Sequence, residues 1–242
     1  MKVLAFDIWA DYAHFRKFYT TSSPLTFSFP PPSAIAGILG AICGLDKNKN
    51  EYLKVFGGEM CKVALRILRP VRKVRVGINL LETKGTNFRL PMSDKNLAPH
   101  TQIRTEFIKN PAFRIYIAHQ DPNIFNHLYK HIIEHKSIYT VSLGLSELLA
   151  DFRYIGIYSL ETKFEGKPAE INTPVTADNI IPDTLEIETG KKYFKEKLPV
   201  RMNHDRIVEK YDDVIFEPEG NTIKAQLKTY YTLENGDNIA FF

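Results

Sequence analysis

VLAFDIWADYAHFRKFYTTSSPLTFSFPPPSAIAGILGAICG, residues 3–44, is the stretch on which the reading of the fold turns. Val3 to Ile8 is an apolar run broken only by Asp7, as in a buried strand. A polar, aromatic and basic loop follows, carrying His14, Arg16 and Lys17. Pro30, Pro31 and Pro32 end any element before Ser33. Ser33 is then the expected N-cap of a helix over Ala34–Cys43, closed at Gly44. That helix is apolar nearly all round, and Gly37, Gly40 and Ala41 suit close backbone approach, so it is expected to be buried. Strand, basic loop and buried helix together can present cations and a helix N-terminus to an anion.

Outward from this unit, Asp46–Glu51 reads as a polar turn. Cys61–Leu68 alternates, with Val63, Leu65 and Ile67 opposite Lys62, Ala64 and Arg66, as a half-buried strand does. The pattern is expected to continue through Pro70 into Val71–Leu81. From Met60 to Leu81 there is no acid, while Lys62, Arg66, Arg69, Arg72, Lys73 and Arg75 are all basic. A solvated face normally mixes signs, so this strand points to an anionic partner. Glu82–Pro111 is a long excursion, too long for a plain connection. It carries Lys84, Arg89, Lys95, His100, Arg104 and Lys109, and its end, Thr101–Ile108, alternates as an extended arm does. Phe113–Ala118 reads as a strand. Asp121–Pro122 is an N-cap with proline at the first helical position, opening a helix over Asn123–Lys136. Its expected buried face is Ile124, Phe125, Leu128 and Ile132, with Tyr129 at its edge. Ser137–Asp151 connects, with a short helical turn at Ser146–Ala150, to a strand over Phe152–Leu160 that carries Arg153.

This order is that of an α+β, ferredoxin-like βαββαβ domain, shared by RNA-recognition modules. It covers residues 1–160, with the arm at 82–111. After Leu160 the composition changes, and residues 161–242 read as a small β-rich C-terminal domain. Short strand-like runs lie near Tyr193–Val200, Val214–Phe216, Ile223–Thr232 and Ile239–Phe242, and Asn235–Gly236 is a hairpin turn.

Composition excludes several classes. The 242 residues are 44% hydrophobic and 25% charged, with a formal net charge of +4, as in ordinary soluble proteins. No signal peptide or membrane span is expected, and the two cysteines, Cys43 and Cys61, read as reduced, buried thiols in a cytoplasmic protein. There is no phosphate-binding GxxxxGK[ST] loop, GxSxG elbow or paired-cysteine zinc spacing. His127, His131 and His135 recur every four residues but lie off the apolar helix face, so no metal and no other cofactor is expected. His14 beside Tyr19, or His100, could serve metal-free RNA cleavage, in which a base deprotonates a ribose 2′-OH. Trp9, Tyr12, Phe15, Phe18 and Tyr19, interleaved with Arg16 and Lys17, suit RNA, since rings stack on bases and cations meet phosphates; the same rings would equally serve as core.

IWADYAHFRKFYT followed by FPPPSAIAGILGAICG, the arm HTQIRTEFIKNPAFRIYIA, the block YTVSLGLSELLADFRYIG and the terminal DNIAFF occur in the order of one family. In these blocks the chain resembles the Cas-five family, RAMP-superfamily subunits of the type I CRISPR effector Cascade, most closely type I-B. The resemblance implies a non-catalytic subunit that caps the 5′ handle of the crRNA in antiviral defence. It implies a thumb-like β-hairpin from the arm, laid across the RNA, and the backbone and large subunits as partners. Target DNA near its flanking motif falls to this subunit or to the large one. One branch of the family cleaves precursor RNA with a tyrosine on the first helix and a Lys-His pair opening the second. Cys43 stands at that tyrosine position, and Asp121–Asn126 offers no such pair. The expected RNA-binding residues are Arg16, Lys17 and Ser33 in the first unit; Arg66, Arg69, Arg72, Lys73 and Arg75 in the basic strand; Arg89, His100, Gln102 and Arg104 in the arm; and Arg153. The alternatives are a metal-independent endoribonuclease of the same superfamily and a generic RNA-recognition protein outside CRISPR.

Overall fold

A computed structural model describes residues 2–81 and 100–242. In chain order the elements are β1 (Lys2–Ala10), β2 (Tyr12–Ala13), α1 (Pro32–Cys43), α2 (Glu51–Phe56), β3 (Cys61–Ile67), β4 (Arg72–Leu81), β5 (His100–Lys109), β6 (Ala112–His119) and α3 (Pro122–Ile133). β7 (Ala150–Phe164), β8 (Pro168–Ile171), β9 (Val175–Thr176), β10 (Phe194–Met202), β11 (Val208–Phe216), β12 (Ile223–Gln226), β13 (Tyr230–Leu233) and β14 (Asn238–Ile239) follow. The fold is mixed α/β and mostly strand. No helix among the described residues is long and apolar enough to cross a membrane.

The main sheet runs β14-β13-β7-β1-β6-β3. β1 is its centre because both its neighbours, β6 and β7, pair with it along its length, antiparallel. Strand alternation then sorts the side chains. Leu4, Phe6 and Ile8 of β1, Val63, Leu65 and Ile67 of β3, and Phe113, Ile115 and Ile117 of β6 meet Ile35, Leu39 and Ile42 of α1 and Leu128 and Ile132 of α3. α1 leads from β1 toward β3 and α3 leads from β6 to β7, so each helical connection passes over a strand and buries this face. The opposite face carries a smaller cluster, Val3, Ala5, Ala64, Tyr116, Leu233 and Ile239.

Several expectations change. α1 begins at Pro32, with Pro31 extended as its N-cap and no side-chain cap. Ser33 is therefore inside the first turn, because proline at the first helical position needs no N–H partner. Gly44 does close the helix in the left-handed conformation, φ 76°. α1 is half-exposed along Ser33, Ala34, Gly37 and Ala41 rather than buried all round. Gly40 does allow close approach, since a Cβ there would lie 2.5 Å from Cβ of Tyr52 on α2. α2 itself occupies ground beyond the expected polar turn. Asp121 caps α3, accepting from the N–H of Asn123, but α3 stops at Ile133 rather than Lys136. Near Ser146–Ala150 a single hydrogen-bonded turn forms, Leu148 N–H to Leu145 O, inside a backbone bridge that pairs Ser142 with Leu149.

The largest correction concerns the basic strand. β3 ends at Ile67, and the chain leaves the sheet at Pro70, which has no N–H for a ladder. The N–H of Val71 turns to Pro218 O. β4 then pairs antiparallel with β5, from Arg72 opposite Lys109 to Leu81 opposite His100. Arg66 and the Arg72–Arg75 cations thus belong to different sheets, and no single basic face joins them. The ribbon's legs are 72–81 and 100–109, so it starts ten residues earlier than the expected arm; residues 82–99 lie outside the described residues. β2 joins its base through Ala13 opposite Ile108. Thr105, Phe107 and Ile108 are buried there, whereas Val76 and Leu80 are exposed.

The boundary drawn at residue 160 from composition does not divide the core. β7 runs through it, and β13 pairs with the C-terminal half of β7, Leu233 opposite Leu160. Leu198, Val214 and Phe216 of β10 and β11 sit in the same core as β1 and α1. A local cluster around Ile171, Val175, Ile223 and Leu227 completes this half.

Candidate nucleic-acid interface

A groove of about 780 Å³ runs along the exposed side of α1, from Pro31 before its first turn to Asn48 beyond its last. Its floor is the small-residue side of the helix, Ser33, Ala34, Gly37 and Ala41. Larger side chains there would fill it. Tyr52, Tyr139, Thr140 and Ser142 add aromatic and hydroxyl groups, and Arg16, Lys47 and Arg206 add three cations against the one acid, Asp46. Arg16 is steadied by its Nη2, which donates to Thr20 O at 2.9 Å and Thr21 O at 3.2 Å. The turn carrying Lys47 is tied to the β10–β11 turn carrying Arg206, because Asn50 Nδ2 donates to His204 O at 2.9 Å.

One wall is fixed by a glycine. Gly144 has φ +106°, and a Cβ there would lie 1.8 Å from His14 O. The N–H of His14 donates to Leu143 O at 3.0 Å, and its Nδ1 lies 2.6 Å from Glu106 O at the ribbon's base. His14 is 3% exposed and sits in this seam at the edge of the groove, as a joint between three segments.

Two carboxylates organise the neighbouring cations. Glu196 of β10 accepts from Lys17 Nζ at 2.9 Å and from Lys73 Nζ at 3.2 Å on one oxygen, and from the N–H of Ser28 at 2.9 Å on the other. Burial opposes its ionisation, but Lys73, Lys17 and Ser28 outweigh that and hold its carboxyl below the usual range. Glu106 of β5 accepts from the N–H of Thr26 and lies 3.5 Å from Arg75 Nε. Lys17 and Lys73 therefore tie the loop after β2 and the base of the ribbon to β10.

On the sheet face away from the helices, Arg153, Asp7, Arg114 and Arg66 line up across β7, β1, β6 and β3 by register. Arg114 Nε donates to Asp7 at 2.7 Å, Arg153 lies 3.7 Å from Asp7, and Arg66 Nη1 donates to Asp237 at 2.7 Å. Tyr116 OH also donates to Asp237, at 2.7 Å. Burial, then Asp237, pushes the Tyr116 hydroxyl far above the usual tyrosine range.

Of the residues expected from sequence, Arg16 and Ser33 come together in the groove. Arg72, Arg75, Gln102 and Arg104 are exposed on the ribbon, and Arg69 is exposed in the link before it. Lys17, Lys73 and Arg66 are held in ion pairs, and Arg153 is exposed beside Asp7. Arg89 lies outside the described residues, as does the side chain of His100. Lys47, Tyr52, Tyr139, Gly144 and Arg206 line the groove without having been singled out. Gly144 alone carried a visible signal, as a glycine set between Leu143 and Leu145.

Rings of His127 and His131 lie 4.6 Å apart, while His135 Nε2 turns 2.7 Å from Asp151. No group of three or more metal-ligating side chains clusters among the described residues. Burial pushes both cysteine thiols up to about 12. At pH 8 both should resist a thiol-specific disulfide reagent in the native protein and react at once in denaturant, since the thiolate is the reactive form. Fast titration of either thiol in the native state would contradict the packing around α1 and β3.

A family model described as CRISPR-associated protein (Cas_Cas5) matches residues 3–129. No curated protein sequence matches the chain. Among solved structures, the chain is similar to a CRISPR protein from Archaeoglobus fulgidus, with 12% identity and a TM-score of 0.57, over 99% of this chain and 98% of that one. At that identity the likeness is one of fold. It is also similar to a chain of a CRISPR RNA-guided surveillance complex, with 11% identity and a TM-score of 0.49 over 92% and 91% of the two chains. A chain of the type III-B Cmr-beta complex bound to cognate target RNA and AMPPnP gives 14% identity and a TM-score of 0.49 over 93% and 86%.

Proposed function

The chain belongs to the CRISPR-associated Cas5 family, whose model spans residues 3–129 of its 242, and from that premise we propose that it binds and caps the 5′ handle of a crRNA without cleaving it. The observation that carries the reading is the groove at α1. Three cations, two tyrosines and a helix N-terminus face a space that suits a single RNA strand: phosphates meet the cations, and bases meet the rings.

In this reading the strand order β7-β1-β6-β3 with α1 and α3 on one face is a ferredoxin-like unit. The β4–β5 ribbon is its thumb. Beyond its buried base, where β2 no longer pairs with it, the ribbon has only two strands and is marginal by itself. Exposed Val76 and Leu80, beside Arg72, Arg75 and Arg104, suit a surface that is completed on RNA and a neighbouring subunit. The partners in this reading are the crRNA, the backbone subunit and the large subunit of a type I Cascade, and type I-B is the subtype proposed. Cleavage is disfavoured on chemistry. In-line attack needs a base at the 2′-OH and stabilisation of the departing 5′-oxygen. His14 is buried in a seam, and the Cys43 thiol is a poor acid or base at neutral pH.

The test is titration of the purified chain against labelled RNA carrying a repeat-derived 5′ handle, at several salt concentrations, with the RNA recovered on a gel. If three or more phosphates are contacted, log affinity should fall against log salt with a slope of about 2 or steeper, at roughly 0.7 per contact. The recovered RNA should be intact. A flat salt response, or specific cleavage in the repeat, would overturn the reading.

A further inference from the structure

Three aromatic rings lie exposed together beside the groove, built from opposite ends of the chain. Phe18 and Tyr19 come from the loop after β2, and Tyr211 comes from β11. The Phe18 ring packs 5.1 Å from Tyr19 at 90° and 4.8 Å from Tyr211 at 50°. Despite these contacts the three residues are 53%, 58% and 39% exposed. Contiguous apolar surface left in water marks a site of interaction. Cations flank it: Lys17 Nζ lies 5.9 Å from the Tyr19 centroid and Lys197 Nζ 5.9 Å from that of Tyr211. Lys17 is neutralised by Glu196, and Lys197 is exposed.

The rings are carried by the same two segments that line part of the groove. Arg16 precedes Phe18 by two residues and Arg206 precedes Tyr211 by five, and both arginines line the groove. Exposed rings with lysine ammonium groups over them are the chemistry of single-stranded nucleic-acid binding, because every base has a π-face and every nucleotide a phosphate. We propose that Phe18, Tyr19 and Tyr211 form a stacking platform for an unpaired base of an RNA strand that continues out of the groove, with Lys197 at its phosphate. The proposal rests on the RNA-binding reading of the groove and adds a second contact to it.

The experiment compares the intact chain with Phe18→Ala, Tyr211→Ala, Tyr211→Leu and Tyr211→Phe, using a labelled single-stranded RNA and a duplex of the same length. Each alanine variant should bind the single strand about tenfold more weakly, the loss of one stacked base. The salt slope should be unchanged, because no phosphate contact is removed. Duplex binding should not change, since paired bases cannot reach the rings. Tyr211→Phe should retain affinity. Tyr211→Leu, which keeps apolar bulk without a π-face, should lose it. Unchanged affinity in both alanine variants, with salt-dependent binding by the parent chain, would overturn the platform and leave the groove reading intact. Full affinity in Tyr211→Leu would overturn it in favour of an apolar face for a protein partner. Absence of RNA binding by the parent chain would overturn both.

Discussion

Replacing Gly144 with alanine should destabilise the protein by about 4 kcal/mol, from two sources that add. An L-residue held at φ +106° carries strain of about 1–3 kcal/mol. In addition, the new Cβ would sit 1.8 Å from His14 O, a backbone atom that cannot swing aside. Moving it breaks the His14 N–H bond to Leu143 O and disturbs the contact of the His14 ring with Glu106 O. Against a typical total stability of about 5–15 kcal/mol this is a large fraction. In a chain of this size the melting temperature should fall by about 12 °C. Gly190 supplies the control. It also has a left-handed φ, +87°, but no atom within 4 Å of a would-be Cβ. Gly190→Ala should therefore show the strain alone, and the difference between the two melting curves measures the clash. Equal effects at the two positions would mean that the Gly144 seam is not closed as described. Because Gly144 lines the groove, its variant should also lose RNA affinity while Gly190→Ala keeps it.

Asp237→Ala should cost about 3 kcal/mol, because it leaves the buried Tyr116 hydroxyl without an acceptor and Arg66 without its ion-pair partner. Asp237 takes hydrogen bonds from Arg66, Tyr116 and Asn235. Tyr116 is fully buried, so its hydroxyl has no route to water. Arg114 loses less, since it keeps its two bonds to Asp7. The double variant Tyr116→Phe, Asp237→Ala should cost less than the sum of the single changes, since the orphaned hydroxyl is then absent. Urea unfolding of the four proteins completes the cycle, and strict additivity would show that the two groups do not interact.

Much of the first unit was legible because its signals are local. The apolar run of β1, the proline block, the Gly44 cap, the Asp121–Pro122 start of α3 and the alternation in β3 and β5 each depend on residues close in sequence, and each appears near its expected place. Such signals specify element type and facing through backbone geometry alone. Asp7 shows the limit of this reasoning. Its place between Phe6 and Ile8 puts it on the face away from the helices, but nothing local names Arg114, Arg153 or, across the network, Asp237.

Partner choice among distant segments was decided by the tertiary structure. The basic run from Lys62 to Arg75 reads continuously along the chain, yet β3 and β4 enter different sheets once Pro70 breaks the ladder, and three of its cations are drawn to distant acids, Arg66 to Asp237, Lys73 to Glu196 and Arg75 to Glu106. The C-terminal strands look like an appendage by composition, but β13 extends the central sheet because the long β7 leaves an edge for it to pair with. The groove likewise needs α1, the Gly144 turn and the β10–β11 turn in one place. Each supplies a weak local pattern, and only long-range packing converts Arg16, Lys47 and Arg206 into one charged surface, because opposite charges and complementary shapes are matched in space rather than along the chain.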